Sequence, residues 1–112
     1  MMGSDRLHLI HCEECLRSIE TFTRGGRGEF MASRMQQDAV LWNLEMAHRC
    51  AKSVSDEEKQ KHPTVDWGRL RILCQNMLDG EHRADVERVW EITQTEVPGL
   101  QRQLRMVLTS KA

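Results

Sequence analysis

The sequence predicts an all-α protein, an antiparallel bundle of four to five helices. Three observations carry that expectation. Apolar residues recur at the three-and-four spacing of one helix face in segment after segment. Nothing alternates apolar and polar with period two, as a half-buried strand would. Within the longest stretch free of Gly and Pro, Phe30 to Val54 is itself periodic, with Met31, Met35, Ala39, Trp42, Met46, Cys50 and Val54 in register. A helix of that length spans roughly 35 Å at 1.5 Å per residue, and it needs neighbours of similar length to cover its stripe.

The remaining elements follow in order. Residues 5 to 23 predict a first helix with Leu9, Cys12, Leu16, Ile19 and Phe22 on one face, and Ser4 or Asp5 as its cap. Gly25, Gly26 and Gly28 then disfavour helix and supply a reversal, so the first helix and the Phe30–Val54 helix are expected to run antiparallel. The run Ser55-Asp56-Glu57-Glu58 has the form of a capped acidic helix start that fades before Pro63, a short exposed turn of helix. Asp66 is placed to cap a helix from Trp67 to about Leu78, with Trp67, Leu70, Leu73 or Cys74, and Met77 inward. Asp79-Gly80 interrupts it. Ala84 to Glu96 resumes with Val86, Val89, Trp90 and Thr93 or Val97 on one face, and Pro98 opens a last helix through Leu100, Leu104, Val107 and Leu108.

Length and charge narrow the possibilities. At 112 residues the chain is expected to be one domain, residues 1–112. No apolar run approaches the ~20 residues of a membrane span, and charges among the first nine residues leave no secretory signal, so a cytoplasmic protein is expected. Sixteen basic against seventeen acidic residues leave a net charge of −1, too little to draw nucleic acid without a local patch. In a reducing cytosol the four cysteines are expected as thiols.

Three blocks then carry a resemblance: Gln37-Asp38-Ala39-Val40 followed by Asn43-Leu44-Glu45 and Ala51-Lys52-x-x-Ser55; Pro63-x-Val65-x-Trp67; and Ala84-Asp85 followed by Val89-Trp90 with Pro98-x-Leu100. Together they resemble the HepT-like proteins, a branch of the HEPN superfamily. The resemblance covers essentially the whole chain. It implies a dimeric bundle whose active members are metal-independent ribonuclease toxins, using no cofactor, of a toxin-antitoxin pair. It also implies an MNT-type nucleotidyltransferase as antitoxin, which adenylylates the toxin. The family signature is Arg-Asn-x-x-x-His-x-Tyr after the Trp block: His serves as general acid or base at a ribose 2′-hydroxyl, Arg steadies the phosphate, and Tyr accepts the AMP.

This chain departs from the signature. A gapless alignment from Trp67 to Trp90 puts Cys74 at the Arg, Gln75 at the Asn, Asp79 at the His and Glu81 at the Tyr. A shift by one residue restores Asn76 as the Asn but leaves Gln75 for the Arg, Gly80 for the His and His82 for the Tyr; the gapless register keeps both Trp positions. Two carboxylates where a polyanion docks are unfavourable, since a like-charge contact at ~4 Å near a surface costs about 4 kcal/mol before screening. The leading expectation is therefore a catalytically degenerate dimeric binding module that still pairs with a nucleotidyltransferase. The alternative is an active ribonuclease with displaced residues, Arg71, Arg83 and His82.

A second alternative is a metal-binding helical protein. His8, His11, Cys12 and Cys15 fall at i, i+3, i+4 and i+7 on the first helix. One straight helix cannot close four ligands round an ion, so such a site needs two ligands from elsewhere; otherwise Cys12 is a small buried hydrophobe. Arg49 stands where the resembling family carries an acidic residue and can offset Asp79 or Glu81 across the bundle, or remain an ordinary surface charge. Asp38 and Asn43, beside the apolar stripe, are expected to fasten helices by buried hydrogen bonds. Trp42, Trp67 and Trp90 read as core or dimer-interface residues ahead of base-stacking platforms, and Met31, Met35, Met46 and Met77 as core filling. The Gly25–Gly28 turn lacks the strand and the Lys-Ser/Thr ending of a phosphate loop and reads as a helix-helix turn.

Overall fold

A computed structural model of the chain describes residues 3–77, 81 and 83–110. Seven α-helices make up most of them: α1 (Gly3–Thr23), α2 (Arg27–Ala32), α3 (Arg34–Ser53), α4 (Asp56–Lys61), α5 (Arg69–Asn76), α6 (Val86–Thr95) and α7 (Val97–Thr109), with no strand among the described residues. The all-α bundle is as expected, with more and shorter helices than four to five. None is long and apolar enough to cross a membrane.

The central pair is α1 against α3. Asp5 meets Ser55 and Cys12 meets Ala47, so positions in contact sum to nearly the same value, which makes the two helices antiparallel. α7 lies along α1, α5 packs on α3, and α6 closes over α2, α3 and α7. Leu9, Cys12, Leu16, Ile19, Phe30, Val40, Leu44 and Ala47 are fully buried between them.

The predicted Phe30–Val54 helix is two helices. Ser33 leaves the helical region at φ −116° and ψ 103°, and its Oγ accepts from the Gln36 amide at 3.1 Å, so it caps α3. Gln37 Nε2 donates to the Phe30 and Met31 carbonyls that end α2. The break turns Phe30 into the core, where its ring tilts against Trp90 at 5.4 Å between centroids. The glycine turn is correspondingly shorter than predicted: Gly28 lies inside α2, and Gly26 alone takes a left-handed φ of 93°.

The buried face of α3 also differs from the predicted stripe. Val40, Leu44, Ala47 and Ala51 face α1, whereas Met35 is 82% and Trp42 65% exposed. α3 carries two apolar stripes about 100° apart, one residue out of phase. The stripe with the smaller side chains is the one α1 can approach, closely enough for Cys12 Sγ to donate to the Ala47 carbonyl at 3.3 Å. Met31 and Met46 are half-buried and Met77 buried, so the methionines are only partly core filling. Trp67 is half-buried, its Nε1 donating to the Lys59 and His62 carbonyls.

Three predicted caps shift. Gly68 rather than Asp66 precedes α5, with no side-chain bond. Ser4 and Asp5 lie within α1 instead of capping it. Asp5 braces a different helix end, accepting from the Ser55 amide at 2.8 Å and the Ser55 hydroxyl at 2.7 Å, while Ser55 Oγ accepts from Glu58 N to cap α4.

These Ser55 bonds hold the Asp5 carboxyl below its ordinary value of 3.8. Because the folded-state value is the lower, Asp5 stabilises the fold above the unfolded-state value and loses that contribution as pH falls through the folded one. Thermal melts should therefore show wild type above Asp5→Asn at pH 7, with the gap narrowing as pH drops below about 4. A gap constant down to pH 2 would mean that the bonds do not depend on ionisation.

Candidate functional site

Cys74 and Gln75, which the gapless register sets against the signature Arg and Asn, lie on α5, and α5 packs on α3. Leu70, Leu73 and Met77 anchor α5 in the core. That periodicity leaves Cys74 at the edge of the contact, half-buried against α3, with Gln75 and Asn76 pointing to solvent. Cys74 Sγ donates to the Leu44 carbonyl at 3.6 Å. Its thiol is pushed up to about 11, first by burial and then by the negative charge of Glu45, so it is a protonated thiol at neutral pH rather than a nucleophile.

Two α3 side chains complete this locus. Glu45 and His48 are three residues apart and share a face, and one ligand-capable atom from each of Glu45, His48 and Cys74 lies within 4.8 Å of the others. Arg49 Nε contacts Glu45 Oε1 at 3.5 Å along the same helix. His48 Nδ1 is sealed from solvent and has no hydrogen-bond partner among the described residues.

Around this locus the other predicted residues are dispersed. Arg71 is exposed on α5. Arg83 is exposed and forms an ion pair with Glu81. Asp79 and His82 lie outside the described residues. Arg49 pairs within its own helix rather than reaching Glu81 across the bundle. Asn43 Nδ2 donates to the Ala39 carbonyl at 2.8 Å, and Asp38 is exposed with Arg34 Nε at 3.4 Å. Both bonds are intrahelical, so neither residue fastens two helices: at these register positions the side chains point along α3 and not into a neighbour. Asp38 instead lines a cleft of about 350 Å³ with Phe30, Arg34, Gln37, Leu41 and Arg83.

The four α1 candidates do not converge. Cys12 is buried on Ala47, His11 is exposed, and His8 and Cys15 are half-buried. Among the described residues Glu45, His48 and Cys74 form the only group of three potential ligands. All four cysteines are free.

The family model described as Ribonuclease HepT-like matches residues 12–107. The chain belongs to that family. A probable ribonuclease HepT of Thermococcus cleftensis is 26% identical over 101 residues, 89% of this chain and 92% of that protein. A putative RNase of Caldanaerobacter subterraneus is 23% identical over 108 residues, 96% of each chain. A Methanocaldococcus jannaschii protein named as a gamma-glutamylcyclotransferase and putative RNase is 21% identical over 104 residues, 92% of this chain but 47% of that longer protein. No solved structure matches significantly.

Sequence reasoning overlooked His48 and named Glu45 within the Asn43-Leu44-Glu45 block. The Glu-x-x-His spacing on one helix was a visible signal; the approach of Cys74, 26 residues later, was not.

Proposed function

We propose that this HepT-like chain is a catalytically degenerate ribonuclease homologue that works as a dimeric binding module, paired in the cell with an MNT-type nucleotidyltransferase. One observation carries the reading: the signature Arg position is held by Cys74, a protonated thiol turned onto the Leu44 carbonyl beside the Glu45 carboxylate. A phosphodiester approaching there meets the Glu45 carboxylate, and Cys74 brings no guanidinium to stabilise its transition state. Glu81, at the Tyr position, supplies no hydroxyl for AMP and is engaged with Arg83.

The dimer reading draws on α3. Met35 and Trp42 lie two turns apart on its open face and are exposed, and the resemblance to HepT-like proteins implies a dimer. Large apolar side chains left in solvent at helical spacing fit a partner of the same chain.

The test uses the purified protein with tRNA and a single-stranded RNA in the presence of a chelator, alongside its mass by light scattering. A dimer without cleavage is expected, and Trp42→Glu should convert it to monomer while leaving its helical spectrum unchanged. Cleavage that copurifies with the chain and disappears in Arg71→Ala would overturn degeneracy in favour of displaced residues. A monomeric wild type would overturn the dimer.

A further inference from the structure

We infer that Glu45, His48 and Cys74 form a binding site for a zinc-class divalent cation, with a carboxylate oxygen, an imidazole nitrogen and a thiolate sulfur as ligands and a fourth position open. The donor set is the first argument. Mixed O, N and S donors suit a borderline-soft ion that accepts all three, and three protein ligands with one open position is the pattern of reactive rather than purely structural zinc sites.

The placement is the second. The two α3 ligands are three residues apart on one face, as in helical Glu-x-x-His ligand pairs, and Cys74 comes from the opposing α5. The three atoms within 4.8 Å have to close to the ~3.3–3.6 Å that tetrahedral bonds of 2.0 to 2.3 Å require. Arg49 occupies Oε1 of Glu45 and leaves the second carboxylate oxygen for the ion. The Glu45 side chain, 45% exposed, gives the ion a path from solvent.

The third argument is His48. A ring nitrogen sealed from water with no partner among the described residues leaves a desolvated polar atom uncompensated. A ligand at this locus fixes the ring and gives the imidazole a role, in a helix that otherwise buries Val, Leu and Ala. On binding, the Cys74 S–H bond breaks, its proton passes to solvent, and the sulfur electron pair forms the bond to the metal; no oxidation occurs.

The ion would sit where the gapless alignment puts the signature Arg, so a cation replaces a cation at the same place. The inference does not depend on the dimer or on a nucleotidyltransferase, and it holds whether or not RNA is cut.

The experiment takes tag-free full-length protein, strips it with a chelator, restores one equivalent of zinc and desalts it. Retention of close to one zinc per chain is expected, with a rise in melting temperature on zinc addition. Cobalt in place of zinc should give the near-ultraviolet thiolate-to-metal band. Cys74→Ser and His48→Gln, both close in size to the original side chains, should weaken zinc binding by about a hundredfold or more, since loss of even an outer-shell partner costs 10- to 100-fold. Cys15→Ser with Cys50→Ser, at the separate thiols near Cys12, should bind as wild type does. Zinc lost on desalting the wild type overturns the inference. So does zinc kept by Cys74→Ser, or lost in the Cys15/Cys50 variant. If either ligand variant fails to fold, the wild-type cobalt spectrum decides: cobalt bound without a thiolate band overturns the site.

Discussion

A chain carrying Cys74→Arg, Asp79→His and Glu81→Tyr together is expected to arrest growth when expressed alone in bacteria. Purified, it should cleave RNA about a thousandfold or more above the unchanged protein, the scale of general acid–base and electrostatic contributions lost together. The changes return a guanidinium for the phosphate, an imidazole for the 2′-hydroxyl and a phenol for AMP. Cys74 is half-buried at the edge of the α3–α5 contact, so a longer side chain there extends along the surface past Glu45 without opening the core. The double change at 79 and 81 also removes two negative charges from the chain. Adding an MNT-type nucleotidyltransferase with ATP should label the variant at residue 81 and silence it. A stable, folded and inert triple variant would show that more than the signature has decayed. Because Cys74→Arg also removes a proposed zinc ligand, its activity in chelator speaks to the signature alone.

Leu44→Ala is expected to destabilise the fold by about 3–5 kcal/mol, the range for truncating a fully buried leucine in a core that relaxes only partly. Leu44 is 0% exposed, on the face of α3 that meets α1, and its carbonyl receives the Cys74 thiol. Against a typical total of roughly 5–15 kcal/mol this loss should lower the melting temperature by more than about 10 °C. Trp42→Ala is the control. Trp42 is the larger side chain on the same helix but lies 65% exposed, so within one protomer its truncation should cost little, and any destabilisation should depend on protein concentration through the dimer. Equal losses at both positions would return the core face of α3 to the predicted stripe. The measurement is denaturant unfolding at two protein concentrations.

Much of the bundle was legible because helix period and core-facing residues coincide over most of the chain. Leu9, Cys12, Leu16 and Ile19 on α1, Leu70, Leu73 and Met77 on α5, and Leu100, Leu104 and Val107 on α7 are buried where their spacing put them. α3 was the exception, because it is apolar on two faces and periodicity does not say which one a neighbour covers. The break at Ser33 was also hidden. A single serine among good helix formers weighs little in local propensity, and the burial of Phe30 against Trp90, sixty residues away, decides it.

The family and the departures from its signature were readable because they are one-dimensional facts. They concern which residue stands at a fixed distance from Trp67 and Trp90; the match over residues 12–107 bears out the family. The site was not readable in the same way. Glu45 and His48 are neighbours by helix geometry, but their meeting with Cys74 requires α5 to pack on α3 in one register. Likewise Asp5 looked like the cap of its own helix, and the antiparallel α1–α3 pair carries it to Ser55, fifty residues on. By itself the sequence determined helix content and membership of the family, since local period and residue identity suffice for these. Tertiary structure decided which stripe of α3 is core, which carboxylate braces which helix end, and which thiol meets which imidazole. Those are contacts between distant residues, and only packing brings them within reach.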